Sequence, residues 1–324
     1  MSLLCSQNAV CLALPTAVIL MFSVSCMATE PLVPVVDGPW TQVAGDPDLG
    51  ELTSEKQQPV DFGVWQAADG TWQVWSCIRK TKEEGKKRLL HGWEGKNLTD
   101  SDWTPKGIKM RADPKLGEHP GGLQAPHVIQ HAGKYVMFYG SWDDICVATS
   151  KDGKEFTRKL NAEGKAPLFR GTELPYPRDP MLFNSNGQWY CYYTAHSNEK
   201  DIGKVFCRTS KDLVHWGDEH VVAAGGEKSG ITRYSAECPF VVEPSPGEYY
   251  LFRTQKYGQN ARTCVYHSRD PLSFGVNNDK EHFVCELPVA APEIVFLDGE
   301  YYLVALLPSL KGIQVAKLKW QEGR

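Results

Sequence analysis

The 324-residue sequence predicts an all-β fold, a five-bladed β-propeller, on three observations: an aromatic-rich and turn-rich composition, a glycine hairpin that recurs five times, and a second marker with the same period. Trp 10, Tyr 13 and Phe 12 accompany Gly 29 and Pro 21, residue types that favour short strands joined by tight turns. The hairpin reads Asp69-Gly70-Thr71-Trp72, Gly133-Lys134-Tyr135, Gly187-Gln188-Trp189-Tyr190, Gly247-Glu248-Tyr249-Tyr250 and Gly299-Glu300-Tyr301-Tyr302, at intervals of 63, 54, 60 and 52 residues. Short apolar runs such as Met181-Leu182-Phe183 and Ile294-Val295-Phe296 precede the glycines, so each unit opens with a β-hairpin. Ser150-Lys151-Asp152, Ser210-Lys211-Asp212 and Ser268-Arg269-Asp270 each follow a third strand and precede an aromatic residue; Asp102-Trp103 echoes them in the first unit. One small sheet cannot bury both its faces alone, so repeats of this length imply sheets packed around an axis.

Taken in order, the chain begins with an apolar leader. No charged residue precedes Glu30, and Ala9 to Met27 is apolar or small apart from Thr16, Ser23 and Ser25, which reads as a signal peptide or a membrane or lipid anchor over 1–28. The expected location is secreted or periplasmic, with Cys26 as the residue an anchoring lipid would take. Residues 29–54 form an extension. Within it Trp40-Thr41-Gln42-Val43-Ala44 resembles a strand that could complete the last blade, since the fifth unit shows only three strands of its own before Trp320. Residues 55–324 hold the propeller as one domain. Seven cysteines follow the leader without any Cys-x-x-Cys spacing, which favours buried thiols over zinc or a disulfide scaffold.

Charge excludes some partners. Lys+Arg 35 against Asp+Glu 39 gives a formal net charge of -4, and the longest basic cluster is Lys86-Lys87-Arg88. That balance disfavours nucleic acid and anionic lipid. A carbohydrate-binding monomer is expected, with no membrane partner beyond an N-terminal anchor and no required cofactor, although the central channel leaves room for a structural ion.

Residues just before each hairpin lie on the innermost strand and approach the axis. Asp61, Asp179 in Arg178-Asp179-Pro180, and Glu237 in Glu237-Cys238-Pro239 bring carboxyls from three blades to one cavity, while His127 and Glu293 occupy Ala125-Pro126-His127-Val128 and Ala291-Pro292-Glu293-Ile294. Carboxylates in a confined space push one another's pKa apart, and glycosidic cleavage needs that division: one protonated acid, and one carboxylate that attacks or activates water. Arg178 and Arg233 are candidates to clamp substrate, and Trp65, Trp142 and Tyr234 to stack on a sugar face.

These motifs resemble the five-bladed propeller glycosidases of glycoside hydrolase families 32 and 43, over roughly residues 55 to 320. Arg-Asp-Pro and Glu-Cys are similar to family 32, whereas Ala-Pro-His-Val resembles the Ala-Pro-Asp-Val segment of family 43. The resemblance implies Asp61 as nucleophile or base, Asp179 as transition-state stabiliser and Glu237 as acid; from their own chemistry and place, Trp142, Arg178, Arg233 and Tyr234 are candidates to contact substrate, and His127 and Glu293 to contact sugar, hold a central ion or bond between blades. Asp61 departs from the family 32 pattern: Asn-Asp-Pro-Asn-Gly is expected there and Val60-Asp61-Phe62-Gly63 is found. That departure, together with the absence of a following β-sandwich, favours inversion, while the Arg-Asp-Pro and Glu-Cys pairs favour retention; inversion is the expectation, with Asp61 activating water, Glu237 donating the proton and Asp179 keeping Glu237 protonated and oriented. The functional expectation is a secreted glycoside hydrolase. Its alternatives are a glycan-binding propeller without catalysis and a retaining β-fructosidase-like enzyme.

Overall fold

The computed structural model describes residues 30–196, 202–228, 230 and 232–323, so the leader expectation lies outside the described residues. Pro31–Arg324 forms one compact unit. It opens with β1 (Val33–Val36) and β2 (Thr41–Gly45). Blade 1 follows as β3 (Gln58–Gln66), β4 (Trp72–Arg79), β5 (Leu89–Gly95) and β6 (Thr104–Met110). Blade 2 contains β7 (Leu123–His131), β8 (Lys134–Ser141) and β9 (Ile145–Ser150), with its edge shared by the short β10 (Thr157–Arg158) and β11 (Pro167–Phe169).

Blade 3 runs β12 (Arg178–Ser185), β13 (Gln188–Ala195), β14 (Lys204–Ser210), β15 (His220–Ala224). Blade 4 runs β16 (Glu237–Ser245), β17 (Glu248–Lys256), β18 (Arg262–Ser268), β19 (Phe283–Leu287). Blade 5 runs β20 (Glu293–Leu297), β21 (Glu300–Leu306) and β22 (Gly312–Gln321). All strands within the blades pair antiparallel, and the only helical elements among the described residues are four single turns of 3-10 helix.

The two repeated sequence markers have local causes. All five hairpin glycines, Gly70, Gly133, Gly187, Gly247 and Gly299, have φ between 72° and 84°, a conformation in which a side chain would be strained. The Ser-x-Asp marker builds a turn between the third and fourth strands. Ser150 Oγ accepts from the Asp152 and Gly153 N–H groups, while Asp152 Oδ1 accepts from Lys154 and Glu155. Ser210 with Asp212 repeats that pattern, and Ser268 with Asp270 repeats its first step on each side. Small polar side chains here replace the backbone partners that the turn lacks.

Closure comes from the N-terminus. β22 pairs with β21 on one side, and on the other with β2 through Thr41↔Val315 and with β1 through Pro34↔Trp320. Blade 1 locks onto that seam, because the Trp103 and Asp102 N–H groups donate to the Val43 and Gln42 carbonyls at 2.8 and 3.2 Å. The edge of one terminus is thus covered by the other, leaving the last blade no vacant hydrogen-bonding face there. Between blades the core is aromatic. Trp65, Trp75 and Phe156 meet edge to face with centroids 5.2 to 5.9 Å apart, and Trp65 Nε1 donates to the Gly153 carbonyl at 2.8 Å. Trp65 is therefore a packing residue between blades 1 and 2, which corrects its reading as a sugar platform.

At the axis, four innermost strands carry a register irregularity before the hairpin. There Asp61, Ala125, Asp179, Cys238 and, just ahead of β20, Ala291 all take positive φ, from 29° to 56°. These five positions are structurally equivalent, and all line a narrow axial cavity of about 20 Å³. Four precede proline, a context that normally favours extended backbone, so the strain is held in place by the surrounding ring. This register corrects the sequence alignment of the blades. Cys238, not Glu237, matches Asp61 and Asp179, while Glu237 matches Arg178 and Gln124.

Candidate active site

A pocket of about 740 Å³ opens at one end of the axis, lined by Asp61, Gln124, Arg178 and Glu237 from the innermost strands or their bulges. The bulge turns Asp61 towards this pocket from blade 1; Glu237, first residue of β16, reaches it from blade 4. Asp61 is 7% exposed and Glu237 8%, so both are largely withdrawn from solvent yet line the cavity.

Donors converge on Asp61. Its Oδ1 accepts from the Tyr257 hydroxyl at 3.0 Å and the Cys238 thiol at 3.3 Å, while Arg88 Nη1 lies 4.0 Å from Oδ2. One oxygen is fixed by two donors and the other remains directed by a cation, an arrangement that orients the group without closing it off. Tyr257 keeps its proton: burial first, and then the Asp61 charge, pushes its pKa well above the phenol range. Burial likewise raises the Cys238 thiol, with Asp179 and Asp61 adding to it.

Glu237 is held by Arg178. Its Oε1 accepts from Arg178 Nη2 and its Oε2 from Arg178 Nε at 3.4 Å, a two-point contact that fixes the plane of the carboxylate. Arg178 Nη1 also donates to the Tyr176 carbonyl at 3.2 Å. Burial opposes the guanidinium charge, but Glu237 and then Asp179 raise its pKa further. Arg178 lines the pocket as expected, and its guanidinium is committed to Glu237 and Tyr176.

Asp179 lies deeper, in the axial cavity. Its Oδ2 accepts from the Cys238 N–H at 3.0 Å, and its buried Oδ1 has no partner among the described residues. Burial, followed by the charges of Asp61 and Glu237, pushes its pKa well above the usual carboxylate range, against the weaker pull of Arg178 and the Cys238 N–H. A group raised in this way loses its stabilising contribution as pH rises through its folded-state value. Asp179→Asn fixes the neutral form and supplies an amide donor on the unpartnered side. We therefore expect it to match wild type in Tm near pH 4 and to exceed it by about 2–4 °C at pH 8. Scanning calorimetry across that range checks the sign; a variant less stable at pH 8 than at pH 4, relative to wild type, contradicts it.

The remaining predicted residues divide. Trp142, Arg233 and Tyr234 line the pocket with Asp61 and Glu237. His127 and Glu293 do not: both line a separate hollow towards the other end of the axis, His127 Nδ1 lying 3.7 Å from Glu293 Oε2, and Glu293 also lines the axial cavity that holds Asp179. Two residues beyond the bulge, the strand has carried these side chains past the pocket. Burial raises the Glu293 pKa, with His127 opposing the shift. The structure instead adds Arg79, Lys86, Arg88, Gln124, Tyr176 and Tyr257 to the pocket. The Lys86-Lys87-Arg88 triplet is the visible sequence signal for Lys86 and Arg88 alone; nothing marks Tyr257, which follows β17 at the pocket end of its blade.

A structural cation in the channel finds a poor donor set. Asp61, Asp179 and Cys238 present one atom each within 4.8 Å of one another. A hard cation such as calcium takes six to eight oxygen ligands, whereas one of these three groups is a thiol held in its protonated form and donating to Asp61.

A five-bladed propeller with carboxyls from blades 1, 3 and 4 around one end of its axis is the architecture of a carbohydrate-active enzyme scaffold. The chain belongs to glycosyl hydrolase family 32: the model of the Glycosyl hydrolases family 32 N-terminal domain matches residues 93–266, more than half of the chain. Sequence similarity extends to the sucrose-6-phosphate hydrolase of Streptococcus mutans, 31% identical over 124 residues, which are 37% of this chain and 24% of that enzyme. The matched segment thus spans about a quarter of that relative. Among solved structures, an endo-arabinase from Bacteroides thetaiotaomicron aligns at TM-score 0.62 and 15% identity, covering 86% of this chain and 100% of the other. A family 32 β-fructofuranosidase from Bombyx mori aligns at TM-score 0.59 and 16% identity, covering 86% and 62%. At these identities the structural likeness concerns the fold.

Proposed function

We propose that this protein hydrolyses a glycosidic bond with retention of configuration, using Asp61 as nucleophile and Glu237 as acid and base. The observation that carries the reading is the entry of these two carboxyl groups, from blades 1 and 4, into one pocket, each already oriented by a cation. The first step starts from Glu237 in its acid form: Asp61 Oδ2 attacks the anomeric carbon while the bond to the leaving oxygen breaks, that oxygen takes the proton from Glu237, and the resulting carboxylate is held by Arg178. In the second, Glu237 removes a proton from water, the water oxygen bonds to the anomeric carbon, and Asp61 departs as the carboxylate. Asp179, which its burial and the neighbouring carboxylates hold towards the neutral form, lies beneath the site in the axial cavity and adds little negative charge against Asp61 as that carboxylate is released.

Retention is preferred to the inversion favoured by the surroundings of Asp61, because the chain belongs to the family to which its Arg-Asp-Pro and Glu-Cys pairs pointed. No cofactor takes part in these steps. Fructofuranosides are the first substrates to test, arabinofuranosides and xylosides the next. In the same reading the leader directs export, and the propeller acts as a monomer on soluble or wall-derived saccharides.

Incubating the full chain with a panel of fructosides, arabinosides and xylosides, and following reducing-sugar release, tests the proposal. Cleavage of at least one member, abolished with Asp61→Asn, supports it. Binding of the same sugars without cleavage by wild type would make the protein a glycan-binding propeller instead.

A further inference from the structure

The pocket has a charge that the chain as a whole does not. Formal net charge is -4, yet among the described residues Arg79, Lys86, Arg88, Arg178, Arg233 and Lys256 line the pocket against two carboxylates, Asp61 and Glu237. Those two are already matched by Arg88 and Arg178. Among the described residues, Arg79, Lys86 and Lys256 have no carboxylate within ion-pair distance, and the recorded contacts of Arg79 and Lys86 are neutral. Arg79 Nε donates to Gln58 Oε1 at 3.0 Å, and its guanidinium lies 6.0 Å from the Tyr257 ring, the same tyrosine that donates to Asp61. Lys86 Nζ sits 4.4 Å from the centre of the Trp142 ring, and Arg88 shares that ring at 5.3 Å.

The surrounding backbone is arranged to hold this wall. Trp142 and Tyr176 pack with ring centroids 6.4 Å apart, and both residues take φ 61°, strained for side chains of their size. Such strain persists only where the structure over-determines it. A neutral sugar offers hydroxyl groups, for which uncharged donors and acceptors suffice. Surplus cations gathered around one pocket, with Lys86 and Lys256 exposed at its mouth and Arg79 half-buried, repel one another and gain when an anion enters between them.

We propose that the saccharide recognised here is acidic, bearing a carboxylate, sulfate ester or phosphate ester that is read by Lys86 and Arg79 beside the Asp61 end of the pocket. This rests on the glycosidase reading for its placement next to Asp61, and it deepens that reading by naming the substrate class. It also accounts for the Lys86-Lys87-Arg88 triplet, whose first and third members face the pocket although the protein shows no general basic surface.

The test compares matched sugars by calorimetric titration of the full chain: glucose with glucuronate, glucose 6-sulfate and glucose 6-phosphate, and fructose with fructose 6-phosphate. At least one acidic member is expected to bind about tenfold tighter than its neutral counterpart at low salt, the gain of one or two charge-assisted hydrogen bonds. The preference should shrink as salt rises, and Lys86→Gln and Arg79→Gln should each reduce it about threefold or more. The three acid groups separate the sources of the charge. Equal or tighter binding of every neutral sugar overturns the inference, as does binding of inorganic sulfate or phosphate as tight as that of any acidic sugar. Run beside the hydrolysis panel, the two ideas fail separately. Cleavage of neutral glycosides without any acidic preference leaves the glycosidase and removes the acidic substrate. Acidic preference that depends on Lys86 and Arg79, without cleavage of any acidic or neutral glycoside, leaves the recognition and removes the catalysis.

Discussion

Asp61→Asn is expected to reduce turnover by at least about 10⁴-fold, the scale seen when a group that acts as one part of a catalytic unit is removed. The substitution keeps the volume and the capacity to accept from Tyr257 and Cys238, whose donors meet Oδ1 at 3.0 and 3.3 Å. What it removes is the negative oxygen facing Arg88 at 4.0 Å, which in this account forms the bond to the anomeric carbon. Folding should survive, since the amide carbonyl can take the same two donors. Substrate affinity should survive as well, so the loss falls on kcat more than on KM. Steady-state kinetics with thermal unfolding as a control check this; a variant with a tenth of wild-type turnover would place the nucleophile elsewhere.

Glu237→Gln has the second largest expected effect, a loss of about 10²–10⁴ in kcat for glycosides with poor leaving groups. Glutamine can no longer protonate the departing oxygen. It also takes a charge from the contact with Arg178, so the guanidinium loses its anionic partner inside a nearly closed site. Two signatures distinguish these effects. An activated aryl glycoside, which needs little protonation, should recover most of the first-step rate in Glu237→Gln. Loss of Tm, by contrast, reports the orphaned Arg178 and should be independent of leaving group. Equal losses on activated and natural substrates would show that Glu237 serves only to neutralise Arg178.

The sequence displayed the ring more clearly than the site, for a physical reason. Five glycines at positive φ and three Ser-x-Asp turns are local requirements of backbone geometry, so each leaves a residue type at a fixed place in its repeat. The axial bulge is also local, and its mark is the proline that follows Ala125, Asp179, Cys238 and Ala291. Aligning the blades on acidic residues instead placed Glu237 one residue out of register and set His127 and Glu293 beside the site. Aligning on proline puts them two residues beyond the bulge, where the strand delivers them to the opposite hollow. Asp61 is the exception, followed by Phe62 and then Gly63, and Gly63 has its own cause. A Cβ there would lie 2.3 Å from the Pro126 carbonyl oxygen of the next blade, so only glycine permits the approach.

Tyr257 and Arg79 could not be read in this way. Tyr257 reaches Asp61 from blade 4 across 196 residues of sequence, and Arg79 comes to the pocket with its guanidinium 6.0 Å from the ring of that tyrosine; no short motif encodes such meetings. Trp65 shows the converse. Its residue type suits a sugar platform, but the neighbouring Trp75 and Phe156 claim it for the core. Residue type suggests a role and packing decides it.

Proton NMR of the sugar first released by wild type, from whichever glycoside of the panel it cleaves, tests the assignment of Asp61 and Glu237 most directly. Signals recorded before mutarotation should belong to the anomer with the configuration of the substrate, because two displacements at the anomeric carbon restore it. First appearance of the opposite anomer would mean a single displacement by water, and would contradict Asp61 as the nucleophile.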